Sequence, residues 1–253
     1  MTGTFAPAPG AAPLVRQVLA QAGMETRLLL RNGEQLLLAV VIPLLVLVGA
    51  VRGASALDLD SQHTSVDVLT PGVLALAVMS TAFTSLAIAT GFERRYGVLK
   101  RLGTAPLSRG ALLGGKVGAL LIVEVLQFVV IGAAGLLLGW SPDFSVPALV
   151  LAVLLGTAAF AGLGMLLAGT LRAEATLAAA NLVYLLLLAG GAVVLPAEAY
   201  GGLGDVVSWL PSGALGEAMR AACEGTVAAR ELVVLAAWAI VGSAAAARWF
   251  RWE

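Results

Sequence analysis

Six apolar stretches, each close to the length a helix needs to cross a lipid bilayer, limit what this chain can fold into. They run Leu36–Val51, Pro71–Phe92, Ala111–Gly139, Pro147–Leu171, Ala175–Leu195 and Leu232–Ala247. A hydrocarbon core of about 30 Å takes about 20 helical residues. The first stretch is short and contains Pro43, and the third is long enough to tilt or protrude. Backbone in lipid must satisfy its own hydrogen bonds, so each stretch reads as a helix. The rest of the composition agrees. Of 253 residues, 60% are hydrophobic and 12% charged, with mean hydropathy +0.96. A soluble domain carries about 25% charge. The expected fold class is therefore all-α: a polytopic membrane protein of six transmembrane helices in one domain.

Formal net charge is zero, which argues against nucleic acid as a partner, but the charges are segregated. With the N-terminus in the cytoplasm, twelve of the fifteen Lys/Arg residues fall on the cytoplasmic side, and only Arg52, Arg220 and Arg230 fall outside. Excess basic charge marks the cytoplasmic side. The outer segments are acidic, with Asp67, Asp143, Glu198 and Asp205 among them. Both termini are thus expected in the cytoplasm. The ending Arg248-Trp-Phe-Arg-Trp252 reads as an interfacial anchor.

Two segments outside the spans are also informative. Leu14 to Glu34 places Leu14, Val15, Val18, Leu19 and Ala22 at helical spacing against Arg16, Gln17, Gln21 and Glu25, an amphipathic helix lying on the membrane surface. The alternative is a soluble extension of the first span. Residues 1–13 are rich in Ala, Pro and Gly and read as a disordered tail without signal-peptide features. Between the last two spans, Pro196–Glu231 is long and moderately apolar. It reads as interfacial or re-entrant helices, one of them capped by Ser212 and presenting Leu215, Ala218, Met219 and Ala222, against the alternative of an exposed loop.

Little in the chain points to catalysis or metal binding. There is one cysteine, Cys223, and one histidine, His63, which reads as a surface residue. No Cys/His cluster has metal-ligand spacing, and no nucleophile, base and orienting acid can be assembled. Gly110-Ala-Leu-Leu-Gly-Gly-Lys116 matches the start of a phosphate-binding loop. Val117 stands where the magnesium-binding Ser/Thr belongs, and no strand precedes it. Gly110, Gly114 and Gly118, four residues apart, instead suit close helix packing. Inside the spans, Glu124 is the one acidic residue, with Gln127 three residues on. Such a group faces protein or water rather than lipid. It marks a translocation path, or it makes an interhelical bond to Asn181 or Tyr184.

The segment between the second and third spans is the most telling. Gly91 to Arg109 holds five of the fifteen basic residues. Glu93-Arg-Arg-Tyr-Gly-Val-Leu-Lys-Arg-Leu, followed by Ala105-Pro-Leu-Ser108, resembles the membrane-spanning permease subunits of ABC-2 type exporters. That family includes bacterial drug-resistance permeases of the daunorubicin-exporter kind and polysaccharide and lipo-oligosaccharide exporters. Six spans behind an amphipathic helix, and the prolines after Leu195 and Leu210, are similar too. The resemblance implies that Glu93, Arg94, Arg95, Gly97, Val98, Leu99, Lys100, Arg101 and Leu102 form a cytoplasmic coupling helix, with Pro106 and Leu107 closing the turn after it. This helix would sit in a groove of a separate ATP-binding cassette subunit, with Val98, Leu99 and Leu102 mattering as much as the charges. ATP and magnesium would belong to that partner, this chain would hold no cofactor, and a second permease subunit would complete a homo- or heterodimer. The setting implied is the bacterial cytoplasmic membrane. Rival readings are a non-transport scaffold and a secondary transporter. The latter commonly shows an internal repeat and several buried ionisable groups, which are missing from this sequence.

Overall fold

A computed structural model describes residues 12–31, 33–56, 66–102, 104 and 108–251, with the side chains of 34–38, 54–56 and 109 left aside. The tail residues 1–11, His63, Pro106, Leu107 and Trp252 lie outside the described residues. Among the described residues every regular element is a helix, with no strand. Helices α1 (Leu14–Arg31) and α2 (Gly33–Ala56) are followed by a single long rod, Val66–Arg95. That rod comprises α3 (Val66–Met79), a π-helical segment (Ser80–Ser85) and α4 (Leu86–Arg95). Next come α5 (Val98–Leu102), α6 (Arg109–Leu137), α7 (Val146–Thr170) and α8 (Ala173–Gly190). A 3-10 turn (Ala197–Leu203), α9 (Gly204–Val207), α10 (Pro211–Cys223) and α11 (Ala229–Trp249) complete the chain.

Five helices are long and apolar enough to cross a membrane: the Val66–Arg95 rod, α6, α7, α8 and α11. The first expected span, α2, is apolar over the shorter stretch Ala39–Gly53. The Val66–Arg95 rod is the most enclosed of the five. Every residue from Leu69 to Met79 is buried. A helix that is apolar all round can bury itself only by standing in the middle of the others.

Small residues set how closely the neighbours approach. A Cβ on Gly162 of α7 would lie 2.7 Å from Ser243 N and 2.8 Å from Gly242 C of α11, so the two backbones touch there. Gly164 meets the π segment in the same way, 2.8 Å from Phe83 O. Close backbone approach is the main source of packing between helices that lipid would solvate equally well.

The amphipathic helix α1 lies along the start of α6 and divides its apolar residues between two directions. Leu14, Val15 and Leu19 are exposed, whereas Val18 and Ala22 turn inward with Gln21 and Thr26. Gly114, Gly115 and Gly118 make room for them. Their Cβ positions would lie 3.3 Å from Val18, 2.4 Å from Gln21 and 3.2 Å from the Ala22 methyl. Gly110, expected to belong to this set, has nothing within 4 Å. Gln17 Oε1 accepts from Ser108 N at 3.1 Å, and Ser108 Oγ caps α6 by accepting from Ala111 N.

The fifth expected span ends early. Instead of continuing to Leu195, α8 stops at Gly190, and Ala192 takes a left-handed φ of 53°. The freed carbonyls are collected by one side chain. Arg220 of α10 donates to the carbonyl oxygens of Ala192, Val193, Val194 and Leu195 at 3.3 to 3.5 Å, and to Glu217 at 2.9 Å. Glu217 in turn accepts from Ala197 N. Gly72 of α3 and Gly216 of α10 flank the stretch, their Cβ positions 2.4 Å from Val194 O and 2.6 Å from Val193 O. Irregular backbone is tolerated at membrane depth only when its polar groups are met by protein.

The last loop does fold back as helices, with Leu215, Ala218, Met219 and Ala222 of α10 buried. Ser212 does not cap α10, however. Leu210 holds the cap position with no side-chain bond, Pro211 fills the first turn, and the Ser212 hydroxyl has no partner among the described residues. Pro suits that position because its missing N–H is one that no helix carbonyl would have met.

Gly162→Ala is expected to destabilise the protein by about 1–3 kcal/mol, because the added methyl meets backbone that cannot swing aside. Gly110→Ala is expected to be neutral or slightly stabilising. Thermal unfolding of the two variants in detergent checks the contrast; equal midpoints would mean that the α7–α11 crossing is looser than described.

Candidate functional site

The segment singled out by the sequence lies at the end of the bundle where α4 stops. Three consecutive side chains there point three ways, as the 100° step of a helix requires. Glu93 reaches α6: both its oxygens lie within 2.8 Å of Lys116 Nζ. Lys116 is itself buried and also donates to Glu25 of α1 at 3.0 Å. Gln21 braces Glu25 from one turn away, at 2.9 Å. Arg94 reaches the far end of α7, donating to Gly169 O at 2.6 Å, to Leu171 O, and to Arg251 O at 3.4 Å. A cation there meets the unpaired carbonyls and negative end of the helix dipole. Arg95 pairs with Glu174 in the first turn of α8, where a carboxylate suits the positive end. Glu93, Arg94 and Arg95 thus tie α4 to α6 with α1, to α7, and to α8.

Immediately beyond this knot the chain turns. Gly97 has φ +69°, a conformation that glycine adopts without strain, and its N–H closes on Arg94 O at 3.1 Å. The single helix expected from Glu93 to Leu102 is therefore two pieces, α4 ending at Arg95 and α5 starting at Val98. On α5 only Leu99 is buried, while Leu102 is half-buried. Tyr96, Val98, Lys100 and Arg101 are exposed. Tyr96 is steadied by stacking on Phe92, ring centroids 6.1 Å apart, and by the Arg95 guanidinium 5.8 Å from its ring. Leu99, expected to matter for docking alongside Val98 and Leu102, is instead the residue that seats α5 on its own chain. The outward surface is aromatic, apolar and basic, formed by Tyr96, Val98, Lys100 and Arg101. Pro106 and Leu107 lie outside the described residues.

The four residues expected along a path do not converge. Glu124 is buried, its Oε2 accepting from Thr157 Oγ1 of α7 at 2.8 Å. Gln127 is also buried but turns to other neighbours, accepting from Thr81 of the π segment at 3.1 Å and donating to Ala39 O of α2 at 2.8 Å. Asn181 is exposed and bonds its own helix at Leu177 O. Tyr184 is half-buried and hydrogen-bonds Ser80. Neither Asn181 nor Tyr184 is the partner of Glu124; that role belongs to Thr157.

Lys116 holds a central position in this knot that the sequence alone does not reveal. A lone cation seven residues into an apolar helix demands a counter-charge. Periodicity alone did not say which carboxylates supply it. The match to a phosphate-binding loop has a structural explanation, because Gly114 and Gly115 seat α1 and Lys116 is held between two carboxylates.

Residues 54–248, which contain all of this geometry but Gln21, Glu25, Ala39 and Arg251, match the family described as ABC-2 family transporter protein. The chain belongs to that family. No individually curated protein matches it. It is thus a multi-pass ABC-2 permease, and membrane subunits of this family generally work with ATP-binding subunits.

Removing the central cation tests the knot. Lys116→Met leaves Glu25 and Glu93 facing each other without a cation and is expected to cost about 1–3 kcal/mol, since both acids keep some water contact. Adding Glu25→Gln and Glu93→Gln removes the uncompensated charges and is expected to restore most of the loss. Unfolding midpoints of the single and triple variants decide it; a triple variant no better than the single would show that charge pairing is not what holds α1 in place.

Proposed function

We propose that this ABC-2 permease is the transmembrane half of an ATP-driven exporter. The segment around α5 would dock on a separate ATP-binding subunit that holds ATP and magnesium. With α2 counted as a crossing there are six spans, both termini lie in the cytoplasm, and the setting is the bacterial cytoplasmic membrane. Two permease subunits would pair, and an amphipathic, drug-like, lipid or glycan substrate would move between or along them. The chain itself would have no hydrolytic role.

One observation carries this reading: Glu93, Arg94 and Arg95, one after another, tie α4 to α6 with α1, to α7 and to α8, directly before the exposed surface of α5. A push on α5 has little freedom to be absorbed locally. It passes into several membrane helices through buried or helix-end contacts, which is what coupling a soluble motor to a membrane path needs. A scaffold would require an exposed docking surface but no such linkage behind it.

The docking surface and the seat beneath it are separable by mutation. Tyr96→Ala with Val98→Asp alters only exposed side chains, so stability is expected to change by no more than about 0.5 kcal/mol. Co-purification of the ATPase and substrate-stimulated hydrolysis are expected to fall away. Leu99→Asp is expected to lower the unfolding midpoint as well, because it buries a charge. Retained coupling in the Tyr96/Val98 double variant would remove α5 from the coupling role.

Orientation is tested by thiol labelling in intact cells. Gly202→Cys is expected to react with an impermeant maleimide, and Lys100→Cys only after permeabilisation. The native cysteine gives no background, because Cys223 is buried and burial, with Glu224 beside it, pushes its thiol up to about 12. The opposite pattern would invert the orientation.

A further inference from the structure

On the outer flank of α6, where it packs against α3 and α7, lies an open groove of about 570 Å³. It runs from Leu121 and Glu124, near the middle of α6, to Trp140 and Phe144 beyond its end. Val125, Val129 and Val150 on its walls are exposed, so it opens sideways, toward whatever surrounds the helices. Fifteen residues line it, and Glu124 is the only ionisable one. Of the Glu124 carboxylate, Oε2 is held by Thr157, while Oε1 is buried with no hydrogen-bond partner among the described residues.

That oxygen is the anomaly. A buried polar atom without a partner costs free energy, and a carboxylate more than most. Thr157 has already fixed the side chain in place, and nothing else on the apolar walls donates to it. A site of this size suits a small molecule, since such sites span about 300–1,000 Å³ and combine apolar walls with a few placed polar groups. The complement of a desolvated carboxylate is a cation that carries a hydrogen, because charge-assisted hydrogen bonds are about twice as strong as neutral ones.

We propose that this lateral groove binds a hydrophobic amine, its apolar body lying toward Trp140 and its protonated nitrogen meeting Glu124 Oε1. Each partner relieves the other: the amine loses its water on entering lipid, and the carboxylate gains the donor it lacks. As a statement of substrate class this rests on the exporter reading above. As a binding site it stands by itself.

The test needs neither ATP nor the partner subunit. The purified permease in nanodiscs is titrated with dansylcadaverine, and with N-pentyl dansylamide, which has the same apolar body without the terminal amine. Energy transfer from tryptophan is read and corrected for partition into empty nanodiscs. The amine is expected to bind at least about tenfold more tightly than its neutral counterpart. Glu124→Gln is expected to abolish that preference while leaving the neutral compound's affinity unchanged, which also shows that the groove is intact. Val129→Trp, at an exposed wall position, is expected to weaken both compounds. Equal affinities in the wild type, a preference that survives Glu124→Gln, or no binding of either compound (as when a second subunit covers the groove) would each overturn the proposal. None of these results bears on ATPase coupling, which the α5 variants test separately.

Discussion

A positive charge inside an apolar helix has to be neutralised within reach of its own side chain, and much of this molecule's basic end is arranged around that requirement. Lys116 meets it with one carboxylate from α1 and one from α4. Those two elements are far apart in sequence and otherwise touch little in common. Because both acids are needed by one ammonium, α1 cannot shift independently of the rod that ends at Arg95. The glycines beside Lys116 let α1 come close enough for the short contact, so steric room and charge pairing act at one place. A buried ionic group of this kind is weak as a source of net stability and strong as a device for fixing register.

The other contacts at this end follow the same economy. Arg94 meets the negative C-terminal end of α7 and Arg95 meets Glu174, which itself suits the positive N-terminal end of α8, so charged groups that would be poorly tolerated deeper in the bundle lie at helix ends. Deeper in, the helices are held by surfaces of small residues, and two polar pairs bond across helices, Glu124 with Thr157 and Gln127 with Thr81. The π-helical segment contributes to this arrangement. It lies where the central rod must present Thr81 to α6 and Ser80 to α8 while its backbone receives Gly164 of α7. Such segments frequently accompany functional sites in helices.

How much of this the sequence disclosed depended on the kind of signal. Long apolar runs announce helices, and each of the six expected runs coincides with a helix over most of its length, because transfer into lipid depends on composition more than on order. The neighbours of each helix were hidden for the same reason: a helix apolar on all sides, such as α3 or α7, carries no stripe that names its partner. Hence Glu124 was legible as a buried acid, but Thr157 was not legible as its partner. Gln127, three residues on, is rotated about 60° from it, enough to face different helices in a crowded bundle. The segment after α4 was found from its charge, yet Leu99 was placed on the wrong side of it. A helix of five residues has too few turns for spacing to define a face, and Gly97 reorients it besides. The early end of α8 was masked because Ala192, Val193, Val194 and Leu195 look like any other membrane residues. Only the position of Arg220 reveals that their carbonyls are spoken for.

That last arrangement has a consequence for biosynthesis. The carbonyl groups of residues 192–195 precede the guanidinium that satisfies them by 25 to 28 residues. While the ribosome is still producing the intervening turn, this piece of chain has no protein partner and gains nothing by leaving water. It becomes compatible with an apolar setting only with α10 in place, so the end of α8 and the helix that follows depend on each other.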